Sequence, residues 1–98
     1  MTEIYYAPTK KAQPITLVQL QQRLTAAGLP CTVEADSADT HWLVFEPHES
    51  TIYASTTGDH VTLATFEFGA NDDTKVGDTI EAVMHAIGFS ADEEAEYA

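Results

Sequence analysis

Along this chain the spacing of apolar residues switches from helical to strand-like and back. Leu17, Leu20, Leu24 and Ala27 recur every three or four residues, the interval that gathers side chains on one side of a helix. Thr16 is a hydroxyl residue suited to capping the helix start. Gly28 stands where a left-handed residue closes a helix, and Pro30 forbids its continuation. The pattern predicts a first helix over Thr16–Ala27. Val76, Ile80, Val83, Met84 and Ile87 repeat the same spacing and predict a second helix from about Thr74 to Ile87, closed by Gly88.

Four strand-like runs lie between the helices. Cys31–Ala35 alternates, with Cys31, Val33 and Ala35 on one face, and Ser37–Thr40 makes the turn after it. His41–Phe45 is apolar at adjacent positions, as expected of a central strand covered on both faces, which puts Trp42 in the core. Pro47-His48-Glu49-Ser50 breaks the pattern. Thr51–Thr56 follows, then a Thr57-Gly58-Asp59 turn, then His60–Phe68. Leu63 and Phe66 fall on different faces, which suggests a bulge or two-sided burial.

At the start, residues 1–14 read as an extended leader. Ile4-Tyr5-Tyr6 adds an edge strand, and Pro8 and Pro14 bracket a polar loop. Residues 90–98 hold Asp92, Glu93, Glu94 and Glu96 with little to bury, and read as a flexible acidic tail. The expected fold is α+β, in the order (β)-α-β-β-β-β-α. It has an antiparallel sheet of four to five strands with both helices packed on one face, in a single domain over residues 1–89.

Composition narrows the class. An apolar content of 44% with four Tyr, four Phe and one Trp is that of a folded chain, and 98 residues suit one domain. The first residues lack the basic-then-apolar pattern of a signal peptide, and no apolar run approaches the ~18 residues of a membrane-spanning helix. One cysteine allows no internal disulfide, which favours the reducing cytoplasm.

Charge changes the picture most. The net charge is −12, split as +2 over residues 1–23 and −14 over residues 24–98, where Lys75 is the one base. Such a surface repels nucleic acid phosphates and anionic lipid, and steers basic proteins toward itself. Plain solubility is the competing account. The acids expected to form a binding surface are Glu34, Asp36, Asp39, Asp59, Asp72 and Asp73. Tyr53, opposite Ile52 and Ala54 in the alternation, is the aromatic residue expected to be exposed beside them.

No motif carries a recognisable chemistry. Cys31 lies on an apolar strand face next to Glu34, the wrong setting for a reactive thiolate. His41, His48, His60 and His85 show no metal-ligand spacing, and Asn71-Asp72-Asp73 lacks the glycine and distal glutamate of a calcium loop. The acids of that stretch suit a helix N-terminus instead. The glycines are isolated and nothing matches a Gly-x-Ser-x-Gly elbow, although composition alone leaves a Ser–His–Asp set open.

The layout of helix Thr16–Ala27 followed by a strand meander, in a small acidic chain, resembles the opening of type III secretion chaperones over about half the chain. The central helix expected among those strands is missing here. The reading is therefore a non-enzymatic cytoplasmic interaction module without metal or cofactor. It binds a basic protein partner as an inhibitor, immunity protein, nucleic-acid mimic or chaperone, with no direct nucleic acid or membrane contact. The alternatives are a small metal-binding or hydrolytic domain using His and carboxylates, and a structural subunit self-associating through its edge strand.

Overall fold

A computed structural model describes residues 3–35, 37–45 and 48–91. In chain order they form β1 (Glu3–Pro8), α1 (Leu17–Ala26), β2 (Thr32–Ala35), β3 (Thr40–Val44), β4 (Thr51–Thr57), β5 (His60–Glu67), α2 (Thr74–Ala86) and β6 (Phe89–Ala91). The strands make one antiparallel sheet in the order β2-β3-β4-β5-β1-β6. The class is α+β as the sequence predicts, with six strands instead of four or five. Two corrections accompany the extra strand. β1 is not an edge, because β5 pairs with it on one side and β6 on the other. Ser90 and Ala91, the first residues of the expected tail, belong to β6, while residues 92–98 lie outside the described residues.

Local chemistry explains both helices. Thr16 Oγ1 accepts a hydrogen bond from the Gln19 amide at 3.1 Å, and Gln19 Oε1 accepts one from the Thr16 amide at 2.9 Å. This reciprocal pair satisfies two donors that the first turn leaves without partners. At the other end Gly28 adopts φ +97°, so the Leu29 amide reaches back to the Leu24 carbonyl at 2.9 Å. The Asp73 carboxylate opens α2 by accepting from the Lys75 amide at 2.9 Å.

Strand register sorts the side chains into two faces. One row runs Ile4–Phe66–Ile52–Leu43–Val33 across β1, β5, β4, β3 and β2, and the next runs Tyr6–Ala64–Ala54–His41–Ala35. Ile4, Tyr6, Phe66, Ile52, Leu43, Ala64, Ala54 and Val33 from these rows share a core with Leu20 and Leu24 of α1 and with Val76, Ile80, Val83 and Met84 of α2. Both helices therefore cover this face. Ala54 and Ala64 are fully buried on the central strands, where small side chains leave room for the larger ones of the helices.

The other face carries Glu3–Glu67–Thr51–Val44–Thr32 and Tyr5–Thr65–Tyr53–Trp42–Glu34, and among the described residues no helix lies over it. His41–Phe45 is thus not covered by helices on both sides. Leu43 and Phe45 point into the core, while Trp42 and Val44 point away from it. Trp42 belongs to the helix-free face, where its ring lies against Tyr53 in a tilted pair, with centroids 3.5 Å apart and planes inclined by 43°.

A bulge tailors β5 to both faces. Ser55 pairs with Leu63 but Thr56 pairs with Val61, so Thr62 is the extra residue. Val61 then joins the core at 4% exposure, while Leu63 sits two residues on and faces the other way. Leu63 and Phe66 differ in face by simple alternation, and the irregularity lies one step earlier than their spacing suggests.

Because Leu20 and Ile80 are fully buried on the two helices, truncating either to alanine is expected to cost about 2–5 kcal/mol in urea unfolding. Losses below about 0.5 kcal/mol at both would contradict the helix-on-sheet packing.

Candidate functional site

Two features outside the core carry specific side-chain chemistry: a polar junction between loops, and the helix-free sheet face. The junction centres on Ser50, which is fully buried just before β4. Its hydroxyl accepts from the Gly69 amide at 3.0 Å and donates to the Asp72 carboxylate. Asp72 also accepts from the Ser50 amide at 2.8 Å and the Glu49 amide at 3.3 Å, with His48 Nδ1 at 3.4 Å. Asn71 Nδ2 adds a bond to Glu49 Oε2 at 2.7 Å. Gly69 has to be glycine here: a Cβ would lie 2.9 Å from the Ser50 nitrogen and 2.8 Å from the Glu49 carbonyl carbon. These bonds clamp the β3–β4 loop to the β5–α2 loop.

Burial by itself pushes the Asp72 carboxyl up. The hydrogen bonds from the Ser50 hydroxyl, the Ser50 and Glu49 amides and His48 outweigh it and hold the group below its ordinary value. The Asp72 side chain is only 8% exposed, so this acid, expected on a binding surface, instead serves the clamp. Ser50, His48 and Asp72 do meet, but not as a nucleophilic triad. The serine donates to the aspartate directly and is sealed from solvent, so no histidine stands ready to take its proton.

The other acids predicted for binding separate. Asp39 organises the β2–β3 turn: its carboxylate accepts from the Ser37 hydroxyl at 3.1 Å, and its carbonyl from the Thr56 amide at 2.9 Å. Asp59 is exposed in the β4–β5 turn at the same end of the sheet. Asp73 caps α2 near the opposite end, beside the loop clamp. Asp36 lies outside the described residues. Glu34 is exposed on β2, opposite Trp42 on the helix-free face, and Tyr53 lies on that face too.

That face is the more promising surface. Trp42 and Tyr53 pack against each other at its middle, and Tyr5 is 43% exposed in the same row. The charged residues that register places on its strands are Glu3, Glu34 and Glu67, all acidic. Sequence reasoning put Trp42 in the core, whereas it is half-buried on this face, and Tyr53, expected to be exposed, is half-buried beside it. The signal lay in the pairing of two alternating strands, with Trp42 out beside Leu43 in and Tyr53 out beside Ile52 in.

Burial pushes the Cys31 thiol up to about 11, so it stays protonated at neutral pH. Among the described residues no group of three or more His, Cys, Asp or Glu side chains is arranged to hold a metal ion.

Removing the Ser50 hydroxyl leaves the Gly69 amide and the Asp72 carboxylate short of a partner inside the junction. Ser50→Ala is therefore expected to cost about 1–3 kcal/mol in chemical unfolding. Asp72 titrates below its ordinary value in the folded state. Its contribution is full above the unfolded value near pH ~4 and is lost as pH falls through the lower folded value. Wild type should therefore lose stability with acid more steeply than Asp72→Asn in melts between about pH 5 and pH 2. Equal slopes would mean that the clamp does not depend on the charged carboxylate.

Set against known proteins, the chain matches no family model, no curated protein and no solved structure.

Proposed function

We propose that this protein is an interaction module that docks a basic protein partner on the helix-free face of its sheet. The observation that carries the reading is the composition of that face: Trp42 packed against Tyr53, Tyr5 in the same row, and charges that are all acidic, Glu3, Glu34 and Glu67. Aromatic rings supply a large contact area at small entropic cost and dominate the centres of protein interfaces. Thr32, Thr51 and Thr65 between them offer hydroxyls for polar contacts. The acids add orientation and speed of encounter more than affinity, and they select a partner of opposite sign. The net charge of −12 extends the same field beyond the face. A cytoplasmic setting suits the free thiol of Cys31.

The face, rather than the scattered acids, unites this reading. Asp39 and Asp59 lie at one end of the sheet and Asp72 and Asp73 near the other, so those four form no single patch. Self-association through β1 finds no support, since both edges of that strand are already paired.

The test is retention of basic proteins from the source lysate by three immobilised forms: wild type, Trp42→Ser/Tyr53→Ser, and Glu3→Gln/Glu34→Gln/Glu67→Gln. The aromatic variant should lose the partner at any salt concentration, because truncating central anchors costs about 2 kcal/mol or more each. The acid variant should bind more slowly, with a weaker salt dependence. Thermal melts establish that each variant is folded. Equal retention by all three forms would refute the assignment of the face.

A further inference from the structure

Away from the sheet's free face, the helix layer holds a feature of opposite charge. Lys10, Lys11 and Arg23 are three of the four bases in the chain, and the fold gathers them around two adjoining hollows with His85. The larger hollow, about 600 Å³, is lined by Lys11, Arg23 and His85. Its neighbour of about 550 Å³ shares Lys11 and His85 and adds Lys10. Among the described residues, no acid lines either one. Acids outnumber bases sixteen to four here, yet among the described residues neither lysine nor Arg23 forms an ion pair with a carboxylate. On its other side Arg23 shares a separate hollow with Asp78, but the two hollows with His85 gather cations, a local exception in a chain this acidic.

The lysines do not ride on a loose loop. Both the Thr9 amide and the Thr9 hydroxyl donate to the Gly88 carbonyl, at 2.9 and 2.8 Å, and the Ala12 amide returns to the Thr9 carbonyl at 3.0 Å. Gly88 adopts φ +90° and lies so close to Ala12 that a Cβ would come within 2.7 Å of its Cα. The turn bearing Lys10 and Lys11 is thus strapped to the end of α2. Pro14, Ile15 and Ile87 give the larger hollow apolar walls, and Gln13 and Gln22 add amide groups at its rim.

We infer that the larger hollow binds a small organic anion, a carboxylate or phosphate carried on an apolar body. The volume falls in the range of small-molecule sites, and such sites combine apolar walls with a few converging polar groups. Lys11 and Arg23 supply charge-assisted hydrogen bonds to the anion, and Arg23 offers the paired donors that match two oxygens of one group. A different role for these cations is to neutralise the carbonyl end of α2. That role requires no ligand and is separated by the experiment below.

Benzoate and phenyl phosphate are the probes, with neutral benzamide as the control. Each is titrated into the isotopically labelled full chain while backbone amide shifts are followed by NMR. Saturable shifts are expected at Lys11, Arg23 and His85 to Gly88 for one or both anions, and none for benzamide. The ratio between the two anions tells carboxylate from phosphate. Lys11→Gln/Arg23→Gln should weaken binding by about tenfold or more, the loss of one charge-assisted hydrogen bond. If the cations only balance the helix end, the double variant lowers the melting temperature and neither anion saturates the wild type. The inference is overturned by that result, by benzamide binding equally well, or by undiminished affinity in the double variant.

Discussion

Two helices cover one face of a six-stranded sheet and leave the other without a helix among the described residues, and this imbalance governs the rest of the structure. The covered face is built from Ile4, Tyr6, Phe66, Ile52, Leu43 and Val33, with Ala54 and Ala64 thinning its centre so that α1 and α2 can settle. The uncovered face must satisfy solvent and still hold strand shape. It does so with threonines, whose branched side chains favour the pleat, with three glutamates, and with aromatic residues that bury area against each other. Trp42 on Tyr53 is that cross-strand solution, and it also makes the face suitable for a partner. Stability and recognition draw on the same residues there.

The two charged regions divide the molecule along its layers. Glu3, Glu34 and Glu67 belong to strands on the open side, while Lys10, Lys11, Arg23 and His85 belong to the helix ends and the strapped loop. These cations are solvent-exposed, so at physiological salt they are partly screened from the surrounding field of net −12. The loop clamp at Ser50 and Asp72 works on a third principle. It uses a carboxylate as a hub for donors from a loop 22 residues distant, and so joins two connections that no apolar contact would hold in register.

The legible parts of the sequence were those whose cause is local. Thr16 with Gln19, Gly28 and the Leu20–Leu24 spacing mark α1 without reference to anything distant. The same is true of α2 and of the alternation in β2, β4 and β5. What stayed hidden depends on partners far along the chain. Phe89–Ala91 is too short to show alternation, and only β1 makes it a strand. Ile4–Tyr6 announces a strand but not its place between β5 and β6. His41–Phe45 looks doubly buried because nothing local says that Trp42 meets Tyr53. Asp72 reads as one acid among many until Ser50 arrives beside it, and Lys11, Arg23 and His85 share a hollow only because the turn after β1 is tied to Gly88.

The position of β1 also sets an order of assembly. β2 to β5 form a meander in which each strand pairs with its sequence neighbour, so those ladders close over short loops. β1 instead pairs Tyr6 with Ala64 on one side and with Ala91 on the other. The first edge can be matched only once β5 has been made, and the second only once the chain has passed α2, and closing such long loops carries an entropic toll that short hairpins avoid. During synthesis the first strand therefore waits, with Tyr6 and Ile4 uncovered, while the meander forms. Its docking on β5 creates the edge to which β6 then adds, and that last pairing joins residues 3–8 to residues 89–91 in a single sheet.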